Sequence, residues 1–208
     1  MDLKDKVVWI TGASSGIGEA VAYEMARKGA WLILTASRQP LLDVVVEKCK
    51  HLGCAHVISL PFDLSLTDQL DQLVDQAWDS YGRIDVFYNN AGISQRGTTV
   101  ETQLHVIRKV MDVDYYAPVV MTKRILPKML ANGGGQLVVT TSIAGRFGFP
   151  MRCAYSSAKH ALYGFFETVR AEYHDHNVKV TIVCPGRVKT NISLNALEKD
   201  GTPHGKMD

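Results

Sequence analysis

Tyr155 and Lys159 stand four residues apart, and Ser142 lies thirteen residues before the tyrosine. Residues four apart share one face of a helix, so a phenol and an ammonium at this spacing can enter one pocket. A phenol ionises near ~10 and alone is a poor proton donor or acceptor at neutral pH. A cation held beside it stabilises the phenolate. Such a pair can pass a proton to or from an oxygen, which is half of carbonyl–alcohol interconversion. A hydroxyl such as that of Ser142 can donate to the same oxygen as negative charge builds there. The other half, hydride transfer, requires a redox cofactor. Taken singly, a tyrosine is usually a packed aromatic, a lysine a surface charge, and one serine says little. The joint spacing carries the reading.

These side chains need a scaffold that brings a strand end and a helix start to one edge. Apolar runs at Val7–Ile10, Trp31–Thr35, His56–Leu60, Val86–Tyr88, Gln136–Thr140 and Val178–Val183 lack strict alternation, as strands buried on both faces do. Helical segments fall between them at Ile17–Arg27, Leu41–His51, Thr67–Ser80, Val106–Leu130 and Ala154–His174. This repeated β-α-β order predicts an α/β fold with a doubly wound parallel β-sheet. Ser142 then ends the fifth strand, at the edge where open sheets place ligands. Asn132-Gly-Gly-Gly135 marks the passage from the fourth helix into that strand. After the sixth strand come Pro185-Gly186 and a polar tail from Asn191 to Asp208, in which no further helix or strand is expected. The chain reads as C-terminally short, a fragment or short form, with residues 1–190 as the nucleotide-binding and catalytic unit and 191–208 as a partial substrate loop.

The first strand runs into Thr11-Gly-Ala-Ser-Ser-Gly-Ile-Gly18 before the first helix. Gly12 permits a tight turn, and Gly16 and Gly18 permit close approach to phosphate and close helix–strand packing. The amides of Ser14, Ser15, Gly16 and Ile17 at the helix start suit the charge of a pyrophosphate. After the second strand stand Ser37 and Arg38, where an acidic residue would hold the ribose hydroxyls of NAD(H). An arginine suits a 2′-phosphate, so NADP(H) is favoured over NAD(H); a solvated arginine is the ordinary alternative. Asp63, followed by Leu64, is expected to close the third strand, where its carboxylate either meets an adenine amino group or signals a helix start. Asn90, Ala91 and Gly92 fit a backbone passing close to a ribose, and fit an ordinary turn equally well.

Bulk properties narrow the class. The 208 residues, 46% of them hydrophobic, suffice for one folded domain with its own core. A net charge of +2 with scattered basic residues speaks against a nucleic-acid partner. The four cysteines, Cys49, Cys54, Cys153 and Cys184, show no CxxC spacing and lack the density of a disulfide framework. They read as free thiols in a reducing, cytoplasmic or otherwise intracellular setting, and no metal site is expected. No apolar run approaches the ~20 residues of a membrane span, although a longer form with an anchor stays open.

Together the motifs resemble the short-chain dehydrogenase/reductase family over essentially the whole chain. They are Thr-Gly-x-x-x-Gly-x-Gly from Thr11, Asn89-Asn-Ala-Gly92, Ser142, Tyr155-x-x-x-Lys159, and Pro185-Gly186 with Val188 and Thr190 downstream. Ile93-Ser-Gln-Arg96 and Ser157-Ala-Lys-His-Ala-Leu162 are similar to the dehydrogenase/reductase SDR family member 7 group. The resemblance implies a Rossmann-type fold, a nicotinamide cofactor, a small-molecule carbonyl or alcohol substrate and a homo-oligomer. It implies Tyr155 as proton donor and acceptor, Lys159 on the nicotinamide ribose and Ser142 on the substrate oxygen. Asn90 to Gly92, and Pro185, Gly186, Val188 and Thr190, become cofactor contacts. Gly145 to Arg152 and the tail from Asn191 are expected to wall the pocket; Phe147, Phe149 and Pro150 there suggest an apolar substrate, and fit local packing equally well.

Two features depart from the family pattern. Where members usually carry an asparagine that helps hold a water relay behind the lysine, Val113 is followed by Asp114. A carboxylate there can still anchor water, or it can pair with Lys159 and weaken its effect on Tyr155. The other departure is length, since members continue with a helix and a further strand. The expectation is an NADP(H)-preferring oxidoreductase; the alternative is a nucleotide-binding protein impaired in catalysis. A Rossmann-type methyltransferase is disfavoured, because a Tyr-x-x-x-Lys pair has no use there.

Overall fold

The computed structural model describes residues 2–207. The chain runs β1 (Val7–Thr11), α1 (Gly16–Arg27), β2 (Trp31–Thr35), α2 (Gln39–His51), β3 (Val57–Ser59), α3 (Leu70–Asp79) and β4 (Val86–Asn89). It continues through β5 (Gln95–Arg96), α4 (Leu104–Met111), α5 (Ala117–Ala131), β6 (Gly135–Thr140), α6 (Cys153–Tyr173), β7 (Val178–Val183) and β8 (Leu197–Glu198). Six strands form one parallel sheet in the order β3-β2-β1-β4-β6-β7. This is the doubly wound Rossmann arrangement, and its strand order reverses between β1 and β4.

Both faces of the sheet are apolar because both are covered. Val8, Ile10, Leu32 and Leu34 point to α1 and α2, where they meet Ala22, Ala26, Leu42 and Val45. The alternate residues Val7, Trp9, Ile33 and Phe87 face α3, α5 and α6 through Leu73, Met121, Ile125 and Phe166. Trp9 stacks on Phe87 at 4.4 Å, and its buried indole N–H donates to Thr35 Oγ1 at 2.9 Å. That bond satisfies the one polar atom the ring brings into the core.

The structure corrects the sequence expectations at three places. The segment expected as one helix over Val106–Leu130 is two, separated by a wide π turn over Asp112–Tyr116. Pro118 explains the break: it has no N–H to give the carbonyl of Asp114, and its ring crowds that carbonyl. The Ala117 N–H instead reaches back five residues, to Asp112 O. The tail, expected to hold no strand, supplies β8, which pairs in parallel with β5. Each is two residues long, too short for any periodicity to mark. Asp63 does not close a strand, since β3 ends at Ser59. Its Oδ1 accepts from the Ser65 amide at 3.0 Å and hydroxyl at 2.8 Å, an Asx turn ahead of α3.

Candidate active site

The strand ends of the switch point open onto a cleft of about 460 Å³. Most of the site residues named above line it. Gly12, Ser14, Ser15, Gly16 and Ile17 form one stretch of wall, with Ser37, Arg38, Asp63 and Leu64 at another. Asn90, Ala91 and Gly92, then Ser142, Tyr155 and Lys159, then Pro185, Gly186, Val188 and Thr190 line it further. Gly18 and Asp114 do not line the cleft; they support it from behind. Among the described residues, none between Gly145 and Arg152 lines it, whereas Asn191, Ile192 and Asn195 of the tail do. Phe147 and Phe149 stack on each other at 5.0 Å and remain exposed.

The glycine turn is shaped by what it must leave empty. Gly12 and Gly16 have φ of 64° and 61°, the left-handed region that side chains rarely occupy. A Cβ on Gly12 would stand 2.8 Å from Ala91 Cα, and one on Gly18 2.3 Å from Gly12 O. Ser15 precedes α1 in extended conformation and its hydroxyl does not cap the helix, so amides at the start of α1 remain for a ligand. Asn90 stitches the floor. Its Nδ2 donates to Thr11 O at 3.1 Å, its amide donates to Thr11 Oγ1 at 3.0 Å, and Thr140 Oγ1 donates to its Oδ1 at 3.1 Å. Three strand ends are thereby tied together, which the sequence left undecided between a ribose contact and a turn.

Ser142, Tyr155 and Lys159 converge from β6 and α6. The Ser142 hydroxyl oxygen accepts from Ala144 N at 3.1 Å, which leaves its O–H to donate elsewhere. Lys159 is 2% exposed. Its ammonium lies 5.5 Å from the Tyr155 ring centre, donates to Thr140 O at 3.3 Å and pairs with Asp114 Oδ2 at 3.1 Å. Asp114 is fully buried, and its other oxygen accepts from the Ile93 amide at 2.7 Å. Gly92 makes room for the pair, since a Cβ there would stand 3.0 Å from Asp114 Oδ2 and 3.2 Å from Lys159 Nζ. Burial pulls the ammonium of Lys159 down, but the Asp114 carboxylate, with a smaller push from Tyr155, outweighs it and holds it above the ordinary lysine value. Burial pushes the Asp114 carboxyl up, against the pull of Lys159 and the Ile93 amide. Sequence reasoning missed Thr140, whose carbonyl orients the lysine, and Gln95, which touches the start of α6. Neither residue type has a signature outside its fold.

The short chain dehydrogenase family pattern matches residues 6–201. The chain belongs to the short-chain dehydrogenase family. A dehydrogenase/reductase SDR family member 7B of Xenopus tropicalis is 41% identical over 213 residues, covering 99% of this chain and 68% of the relative. This chain spans about two thirds of the length of the curated relatives it matches. A short chain dehydrogenase/reductase from Burkholderia phymatum, solved in complex with NAD, superposes with a TM-score of 0.88 at 28% identity, over 93% of this chain and 69% of that one. A protein from Beutenbergia cavernae with NADP bound at low occupancy also gives 0.88 at 28% identity, over 93% and 76%.

A nicotinamide dinucleotide is the group this family implies, and the cradle fits it. Left-handed glycines, a close-packed floor and helix-start amides without a side-chain cap form a corner shaped to receive an anion. The cleft extends from there past Arg38 and Asp63 on one side and to Tyr155 and Lys159 on the other. All four cysteines are free thiols. No described helix is long and apolar enough to cross a membrane, and no described cluster of side chains could hold a metal ion.

Proposed function

We propose that this protein is an oxidoreductase that interconverts a secondary alcohol and a carbonyl, using NADP(H) in preference to NAD(H). The observation that carries the reading is the convergence of Ser142, Tyr155 and Lys159 on the cleft that also holds the glycine cradle. A bound nicotinamide dinucleotide supplies or accepts the hydride at the substrate carbon. Gly12 to Ile17 would hold its pyrophosphate, Asn90 to Gly92 and Lys159 its ribose, and Pro185 to Thr190 the nicotinamide end. Arg38, exposed beside Ser37, would meet a 2′-phosphate, which supports the NADP(H) preference.

Tyr155 gives a proton to the substrate oxygen in the reductive direction and takes one in the oxidative direction. Ser142 donates its hydroxyl hydrogen to that oxygen as charge develops there. Lys159 stabilises the phenolate form of Tyr155 and is itself fixed by Thr140 O and Asp114. Ile192 of the tail lines the cleft and the exposed Val188 stands at its rim, which supports an apolar substrate.

Turnover of a panel of apolar ketones with NADPH tests the assignment. Tyr155→Phe is expected to lose about 10²–10⁴ in kcat, the usual worth of a positioned proton donor, with NADPH affinity nearly unchanged by fluorescence titration. Retained turnover in that variant would remove the tyrosine from the mechanism. The buried Asp114 partner of Lys159 favours a second reading, a protein that binds the dinucleotide and turns nothing over. Saturable NADPH binding without consumption across the panel would select it.

A further inference from the structure

We propose that Gln95 is a positioning residue that couples the C-terminal tail to Tyr155. The inference rests on the proposed role of Tyr155, but the geometry behind it is independent of that role. Gln95 lies in β5 and is wholly buried. Its Oε1 accepts from the Tyr155 amide at 3.2 Å, and its Nε2 donates to Cys153 Sγ at 3.4 Å. Both ends of one carboxamide therefore engage the first turn of α6.

Arg152 precedes α6 and gives it no side-chain cap. Within any α-helix the first N–H groups have no intrahelical acceptor. Ser156 is the first to find one, at Arg152 O (2.8 Å), so the Tyr155 amide one residue earlier depends on Gln95. A cap that ordinarily comes from the residue before a helix comes here from a separate strand.

The same strand is held on its other side by the tail. Gln95 pairs with Leu197 and Arg96 with Glu198, and the Leu197 amide donates to Ser94 O at 2.9 Å. Beyond the pair, Gln103 N donates to Lys199 O at 2.9 Å, and Lys199 pairs with Glu101 at 2.7 Å. Gly97 bridges to Arg152, so β5 sits between the tail and the start of α6. The tail also contributes Asn191, Ile192 and Asn195 to the cleft wall. A shift of that wall is thus transmitted through β5 to the backbone that carries the phenol. The tail both encloses the substrate end and sets where the proton donor stands.

The test is amide hydrogen exchange at Tyr155 without cofactor, together with steady-state kinetics, in Gln95→Met, Leu197→Pro and the double variant. Methionine keeps the side chain's length and removes both hydrogen-bonding ends; proline removes the amide that holds β8 to Ser94. Gln95→Met is expected to speed exchange at Tyr155 about fivefold, the effect of losing one ordinary hydrogen bond. It should lower kcat by roughly fivefold to tenfold through misplacement of the reacting group, with NADPH affinity and the midpoint of the pH–rate profile unchanged. Leu197→Pro should act in the same direction, and the double variant should be no worse than Gln95→Met, since both cut one connection. Unaltered exchange at Tyr155 in Gln95→Met overturns the proposal, as do multiplying effects in the double variant. Faster exchange with undiminished kcat also overturns it. If Gln95→Met does not fold, Gln95→Asn, one methylene too short to reach, gives the same readout. An enzyme with no turnover at all would sink the proposed function, while the exchange data would still decide the coupling.

Discussion

The substitution Asp114→Asn isolates the buried negative charge that pairs with Lys159. Asparagine keeps an oxygen for the Ile93 amide, so the π turn and the floor under Gly92 should persist. What changes is the field at Tyr155. An ammonium 5.5 Å from the ring centre attracts a phenolate there by about 3 kcal/mol at an effective dielectric of about 20. The Asp114 carboxylate, 3.1 Å from that ammonium, opposes the attraction, by about 2 kcal/mol at the same dielectric if it stands in line behind the ammonium. With the Lys159 ammonium still charged, neutralising the carboxylate should therefore favour the phenolate and move the midpoint of the pH–rate profile for alcohol oxidation down.

The sign follows from the direction of the reaction. Oxidation needs the phenolate as proton acceptor, so its rate rises with pH through the midpoint, and a better stabilised phenolate moves the rise to lower pH. Measurement of kcat/KM for a secondary alcohol across pH, at saturating NADP⁺, reads the shift directly. An unmoved midpoint would refute the reasoning, since Asp114 would then not oppose Lys159 at the phenol; a midpoint moved upward would show that burial discharges Lys159 once its carboxylate partner is gone.

Other perturbations probe the pair and the cradle separately. Lys159→Met leaves the Asp114 carboxylate buried without its cation and should cost about 3–5 kcal/mol of stability by denaturant unfolding, much of it recovered in the Lys159→Met/Asp114→Asn double variant. Because Lys159 is held above the ordinary lysine value in the folded protein, its stabilising contribution is complete below ~10.4 and is lost as pH rises through the higher folded value. Thermal melts should accordingly show a decline in the alkaline range that Lys159→Met lacks. Gly18→Ala places a methyl 2.3 Å from Gly12 O and should destabilise the fold by about 1–3 kcal/mol while weakening NADPH binding. Arg38→Leu should weaken NADPH by roughly tenfold and leave NADH unchanged in parallel titrations; equal losses for both would mean that the arginine does not read the phosphate.

The sheet was legible because its strands are covered on both sides. Short continuous apolar runs such as Trp31–Thr35 are what strands buried on both faces show, and all six strands lie where the pattern puts them, with the helices between them in order except that the fourth is two. The residues lining the cleft were legible for a related reason: a left-handed turn such as that at Gly12, and a helix face such as Tyr155 with Lys159, are local consequences of residue type and spacing. What the sequence hides is pairing without periodicity. β5 and β8 are two residues each, and nothing in Gln95-Arg96 or Leu197-Glu198 announces a partner a hundred positions away. The π turn sits between these cases. Pro118 is visible in the sequence, but that its missing amide falls opposite the carbonyl of Asp114 matters only once Lys159 is known to lie beside that turn.

These hidden features share one location. The Asp114–Lys159 pair lies directly behind the cleft wall at Gly92, and Gln95 stands three residues further along the same loop. The segment after β4 therefore meets the site twice, through the Ile93 amide that holds the Asp114 carboxylate and through the Gln95 side chain that holds the Tyr155 amide. The first contact sets the energy of the phenolate and the second sets the place of the phenol, so the two should separate in experiment. Asp114→Asn should move the pH midpoint and leave exchange at the Tyr155 amide unchanged, whereas Gln95→Met should do the reverse. If both variants moved both readouts, the loop would be acting as one rigid support, and neither residue could be assigned a separate effect on the tyrosine.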